Sequence, residues 1–138
     1  MKQVFVLDAC ALIAYLSDEQ GAEVVSGYLQ QAANGLVSVF MNKLNLLEVY
    51  YGLYRECGKE FADKILFEIT QSNIEIIEII SDYVFFEAGR LKASYKISLA
   101  DSIVLAEATV RNATVLTSDH HEFDAVEQQE PIEFKWIR

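Results

Sequence analysis

Residues 4–16 read VFVLDACALIAYL: a strand-length apolar run, an aspartate, and then a second apolar run of helical character. A short β-branched and aromatic segment that ends on a carboxylate and passes straight into a helix is a strand-to-helix junction. The same order recurs near the other end, where residues 113–119 read ATVLTSD. Working outward, similar short runs stand at Val4 to Leu7, Leu36 to Phe40, Ile74 to Ile80, Ala113 to Thr117 and Ile132 to Ile137. Helical segments fill the intervals, at Ala9 to Leu16, Ala22 to Ala33, Lys43 to Cys57, Glu60 to Thr70, Asp82 to Tyr95 and Ala100 to Asn112. Strands alternating with helices predict an α/β fold with a central parallel sheet and helices on both faces. Ligands of such sheets gather outside the carboxyl ends of the strands, which puts Asp8 and Asp119 at one edge.

The 138 residues suit one domain, residues 1–138, and 52% of them are hydrophobic, enough for a core. There is one proline and no low-complexity linker. Eleven basic residues against 21 acidic ones give a net charge of -10. That balance excludes a broad basic nucleic-acid surface, which needs Lys and Arg against phosphates. It favours a cation, a basic partner, or carboxylates gathered for chemistry. Cys10 and Cys57 form no CxxC pair and are expected as free, buried thiols of a reducing compartment. Asp8 splits the apolar N-terminal run, no A-x-A-like cleavage site follows, and no stretch reaches the ~18 apolar residues of a membrane span, so a cytoplasmic protein is expected.

Two further acids lie inside helical patterns. Lys43 to Cys57 is apolar around most of its wheel; Asn45, Glu48, Gly52, Arg55 and Glu56 share one narrow sector, so Glu48 faces either solvent or a cleft. Asp101 shares its face with Val104, Leu105 and Ala108, while Ser102 and Glu107 point elsewhere. Each acid also has a plain local role open to it. Asp8 and Asp119 suit helix N-caps, the latter of a short turn through Phe123, and Ser98 with Asp101 has capping-box spacing.

The segments VFVLDACALIAYL, NLLEVYYGL, ISLADSIVLAEA and ATVLTSDHHEFDAV, in that order, resemble the four acidic motifs of PIN-domain nucleases, and in size and style the VapC-type toxins of toxin–antitoxin pairs. The resemblance implies a PIN-like three-layer sandwich and a ribonuclease using Mg2+ or Mn2+. By the same resemblance Asp8, Glu48, Asp101 and Asp119 form the metal and catalytic set, and Thr117 supplies a supporting hydroxyl. It further implies an RNA substrate, a cognate antitoxin and a homodimer. Ala9 stands where such proteins often carry Ser or Thr, which leaves a catalytically weakened, PIN-like binding protein as the alternative. Four hard carboxylates suit Mg2+ or Mn2+, and such ions supply both an activated water and charge stabilisation for phosphodiester hydrolysis. A receiver domain or a haloacid-dehalogenase-type phosphatase would need a second acid just after Asp8, where Ala9 and Cys10 stand.

The adjacent His120 and His121, near Glu122 and Asp124, read as part of a polar turn. Arg90, Lys92, Lys96 and Arg55 read as solvated charges, with contact to RNA phosphate as their functional alternative. Trp136 reads as core or edge packing of a final strand.

Overall fold

The computed structural model describes residues 2–138. Its centre is a five-stranded sheet made of β1 (Gln3–Leu7), β2 (Val37–Asn42), β3 (Ile74–Ile77), β4 (Thr114–Thr117) and β5 (Glu133–Trp136). The strand order is β3-β2-β1-β4-β5 and every pairing is parallel. Helices α1 (Ala9–Leu16), α2 (Ala22–Ala33), α3 (Lys43–Cys57) and α4 (Lys59–Thr70) precede β3. Helices α5 (Asp82–Ser94), α6 (Leu99–Arg111) and α7 (His120–Gln129) follow it.

Side-chain alternation along the strands sorts the core into two layers. Phe5 and Leu7 of β1 join Val39, Met41, Leu12, Val25 and Leu46 on one face, where α1 to α4 lie. Val6, between them, joins Val115, Leu91, Val104, Leu105 and Phe123 on the other, against α5 to α7. Both faces are covered, as a buried parallel sheet requires.

Three expectations need correction. The segment after Asp119 is a ten-residue helix, α7, rather than a short turn. Only Phe123 and Val126 of it are buried, so two anchors one turn apart hold a helix that is otherwise polar and shows no apolar stripe. Cys10 and Cys57 are free as expected but exposed, in the first turn of α1 and at the last position of α3. Ser102 and Glu107 do not face away from the core: α6 is buried continuously from Ser102 to Ala108, because it is wedged between the sheet, α3 and α5.

Glu107 is 1% exposed and is held by hydrogen bonds. Asn42 donates its amide to Glu107 Oε2 at 2.7 Å, and Arg111 donates Nε to Oε1 at 3.2 Å. The Arg111 guanidinium lies 4.4 Å from the centre of the Phe40 ring. Asn42 is also the N-cap of α3, accepting from Leu44 N. Glu107 therefore fastens the start of α3 to the middle of α6, the two helices that carry Glu48 and Asp101. Replacing Glu107 by leucine leaves the Asn42 amide unpaired in the interior, and because Arg111 is partly exposed the cost falls at about 2 to 3 kcal/mol. Urea unfolding of Glu107→Leu measures it; a midpoint equal to that of the wild type would show that the buried bond contributes nothing.

Candidate active site

The carboxyl edge of the sheet receives four of the sequence-predicted acids from four separate elements. Asp8 directly follows β1, and Asp119 follows β4 after Ser118 alone. Asp101 stands in the first turn of α6, which runs antiparallel to the strands it packs on. Glu48 stands in the second turn of α3, which starts at the end of β2.

Local chemistry fixes these carboxylates. Asp8 is 2% exposed; Ala11 N donates to its Oδ1 at 2.8 Å, so it caps α1. The Thr117 hydroxyl donates to Asp8 Oδ2 and accepts from Asp119 N at 2.9 Å, coupling the first acid to the fourth through one buried side chain. Asp119 caps α7 by accepting from Glu122 N at 3.2 Å. Ser98 caps α6 by accepting from Asp101 N at 3.1 Å. The capping roles and a shared site thus coexist, because the same amides that close the helices aim the carboxylates.

Electrostatics show that the acids share one region. Burial pushes the Asp8 carboxyl up to about 7; the Thr117 and Ala11 hydrogen bonds oppose the rise, and Asp101 and Asp119 add to it. Burial likewise pushes Asp101 to about 7, against the Ser98 hydrogen bond and with repulsion from Asp119, Glu122 and Glu48. Glu48 is raised by partial burial and by Asp119, while the Asn45 amide beside it pulls the other way. The Cys10 thiol is pushed up to about 12, first by desolvation and then by Asp8, Asp119, Asp101 and Glu48 together. No lysine or arginine forms an ion pair with Asp8, Glu48, Asp101 or Asp119 among the described residues.

Two site features were not read from the sequence. Glu122 repels Asp101 directly from the first turn of α7, and its spacing of three from Asp119 carries that signal once α7 is recognised as a helix. Asn45 is fully buried one turn before Glu48, donating to the Ala100 carbonyl at 2.9 Å, while its Oδ1 has no partner. Of the remaining candidates, His120 bonds Asp124 at 2.9 Å and the Arg138 carbonyl at 3.1 Å and stacks on Trp136 with centroids 3.8 Å apart, which makes Trp136 an edge-packing residue as expected. Arg90 is forked between Glu87 and Glu130 on α5, and Lys96 lies beyond the end of that helix.

The donor set consists of hard oxygens, which suits Mg2+ or Mn2+. Among the described residues, however, no three His, Cys, Asp or Glu side chains stand close enough to grip one ion. The unpartnered, buried Asn45 Oδ1 and the raised carboxyls both mark a place whose polar groups lack their full complement of positive charge.

The same architecture occurs in solved structures. DNA-bound VapBC from Salmonella typhimurium superposes with a TM-score of 0.76 at 14% identity, covering 100% of both chains. VapBC2 from Rickettsia felis, bound to a DNA fragment from its promoter, gives 0.72 at 19% identity over 96% of this chain and 98% of that one. The sarcin–ricin loop cleaving toxin VapC20 of Mycobacterium tuberculosis gives 0.65 at 14% identity over 89% and 95%. At such identities the likeness is one of fold. No curated protein sequence matches the chain. The PIN domain family model matches residues 5–128, from the first strand to beyond the fourth acid and across all four acidic segments, and the chain belongs to the PIN domain family.

Proposed function

We propose that this chain, acting as a single domain over residues 1–138, is a Mg2+- or Mn2+-dependent ribonuclease and the toxin of a cytoplasmic toxin–antitoxin pair. The observation that carries the reading is the meeting of Asp8, Glu48, Asp101 and Asp119 at one sheet edge, none of them in an ion pair among the described residues. Membership of the PIN domain family supports the nuclease, and the resemblance of the fold to VapBC proteins supports the toxin. Among the described residues no helix is long and apolar enough to cross a membrane, which is compatible with the proposed compartment.

Asp8, Asp101 and Asp119 would hold a divalent ion, with Glu48 completing the set or orienting water. A bound ion would activate that water and offset the charge that builds on the phosphate. The protein's own contribution is orientation. Thr117 locks Asp8, and the amides of Ala11 and Glu122 hold one oxygen each of Asp8 and Asp119. An antitoxin would fit as a basic segment laid over the acidic edge.

The homodimer is assigned to the α5 face. Tyr83, Phe85, Phe86 and Leu99 are mostly exposed there, beside a groove of about 680 Å3 lined by Leu44, Ile80, Phe86, Ala93, Leu99 and Ile103. Lys92 is the one charged residue among those lining the groove. A nearly uncharged face with rings next to a groove selects neither an acidic nor a basic partner and is self-complementary, as a two-fold interface requires.

RNA incubated with the protein is expected to be cleaved in Mg2+ or Mn2+, not in chelator, and Asp8→Asn is expected to lose roughly 100-fold or more of the rate. Cleavage indifferent to both would refute the site; inertness toward varied structured RNAs, together with retained RNA or antitoxin binding, would favour the weakened binding protein suggested by Ala9.

Stability carries a second signature. Asp8 and Asp101 have carboxyls raised above their unfolded values, so the folded state holds more protons and stability falls as pH rises through about 7. Without metal at pH 8, Asp101→Asn should melt roughly 4 °C or more above wild type, a gain that shrinks toward pH 5. Mg2+ should raise the wild-type melting temperature at pH 8 and raise that of Asp101→Asn less. Identical melting of the two proteins across this range would remove carboxylate crowding as a feature of the site.

In solution the chain should sediment as a dimer, and Phe86→Glu as a monomer with unchanged circular dichroism. A monomeric wild type, or a Phe86→Glu protein that stays dimeric, would move the interface off the α5 face.

A further inference from the structure

The helix that carries Glu48 does not stop contributing at the carboxylate. Tyr51, Gly52 and Arg55 follow it by three, four and seven residues and so rise along the same side of α3. Gly52 lies inside the helix, where glycine is a weaker choice than alanine. A Cβ placed on it would meet nothing within 4 Å and its backbone is ordinary helix, so neither packing nor conformation demands glycine there. The result is open helix surface one turn beyond Glu48, a slot only in the sense that no side chain covers it.

Two exposed side chains of different chemistry flank it. Tyr51 presents an exposed ring, and the Arg55 guanidinium lies 5.4 Å from its centre. Long side chains on a helix lean toward its N-terminus, so Arg55, about 10 Å along the axis from Glu48, reaches back toward the carboxylate edge. Lys43, Lys59, Arg90, Arg111 and Arg138 are each paired to a carboxylate, whereas Arg55 forms no ion pair among the described residues. A guanidinium with no carboxylate partner attracts an anion. A phosphate matches its fork, and a base can stack on the phenol ring.

We propose that Tyr51, Gly52 and Arg55 form a subsite for a nucleotide of single-stranded RNA adjoining the scissile phosphate, with the phosphate on Arg55, the base on Tyr51 and the sugar in the gap over Gly52. This rests on the ribonuclease reading above, since it places the subsite beside that reading's carboxylates.

The test measures binding of a fluorescein-labelled, random-sequence single-stranded RNA to the full chain by anisotropy, with Ca2+ replacing Mg2+, over a series of salt concentrations. Arg55→Gln should weaken binding roughly fivefold or more at low salt and flatten the log–log salt slope by about 0.7. Tyr51→Leu should weaken it by a similar factor, roughly fivefold, with the slope unchanged. Gly52→Val should weaken binding by filling the slot, and Gly52→Ala should do so to a smaller degree while raising the melting temperature, a combination that misfolding cannot produce. Wild-type affinity and slope in Arg55→Gln and Gly52→Val, or a wild type that does not bind RNA, would overturn the subsite. So would variants that keep RNA binding but alter capture of an Arg/Lys-rich peptide, because the slot would then serve a protein partner. RNA that is bound with the expected dependences yet never cut in Mg2+ or Mn2+ would retain the subsite and remove the nuclease.

Discussion

Crowding of carboxylates at the end of a buried parallel sheet is the constraint around which this molecule is arranged. Two of them, Asp8 and Asp101, are desolvated enough to hold protons near neutrality. Such a site opposes folding unless something compensates, and the compensation is built from helix ends. Asp8 caps α1, Asp119 caps α7, and Asp101 sits in the capped first turn of α6. Three helix N-termini therefore direct their amides and positive dipole ends at one edge of the sheet. They reduce the repulsion without cancelling it, and the excess negative charge stays at that edge.

The buried ties make sense in the same terms. Asn42 with Glu107, and Asn45 with the Ala100 carbonyl, bolt α3 to α6 at two successive turns. Both helices carry an acid that would move away from the others if it were free to do so. Holding α3 and α6 by polar bonds in the interior sets the spacing of Glu48 and Asp101 independently of whether a metal is bound. Glu107 makes the fully buried one of these ties through Asn42 and Arg111, not through any of the four acids.

The strand-ending acids were legible because β-branched runs and the residue after them are local in sequence. VFVL followed by Asp8 and TVLT followed by Ser118 and Asp119 announce both the sheet and the edge where its acids gather. The buried side of α6 was not legible. A wheel assigns one apolar face, whereas α6 is enclosed from Ser102 to Ala108, where the Ser102 hydroxyl donates to the Leu99 carbonyl of its own helix and Glu107 accepts from Asn42, far away in the chain. Helix α7 was missed for the opposite reason: it is mostly polar, and its two buried anchors, Phe123 and Val126, are too few to mark a helix by themselves. The exposed Leu47, Tyr51 and Tyr54 of α3 and Tyr83, Phe85 and Phe86 of α5 look like core in the sequence, since periodicity cannot distinguish a face buried by this chain from one left bare.

The net charge of -10 takes on a different meaning once its distribution is known. Five of the eleven basic side chains, three of the four arginines among them, are spent on neighbouring acids: Lys43 on Glu78, Lys59 on Asp63, Arg90 on Glu87 and Glu130, Arg111 on Glu107, and Arg138 on Glu19. The basic side chains left over are far outnumbered by the 21 acids, so affinity for a polyanion has to come from a few discrete contacts rather than a field. A bound ion reverses the sign locally, and stacking on exposed rings adds attraction that salt does not screen. An acidic shell around such contacts also discriminates, because a polyanion that fails to engage them meets only repulsion.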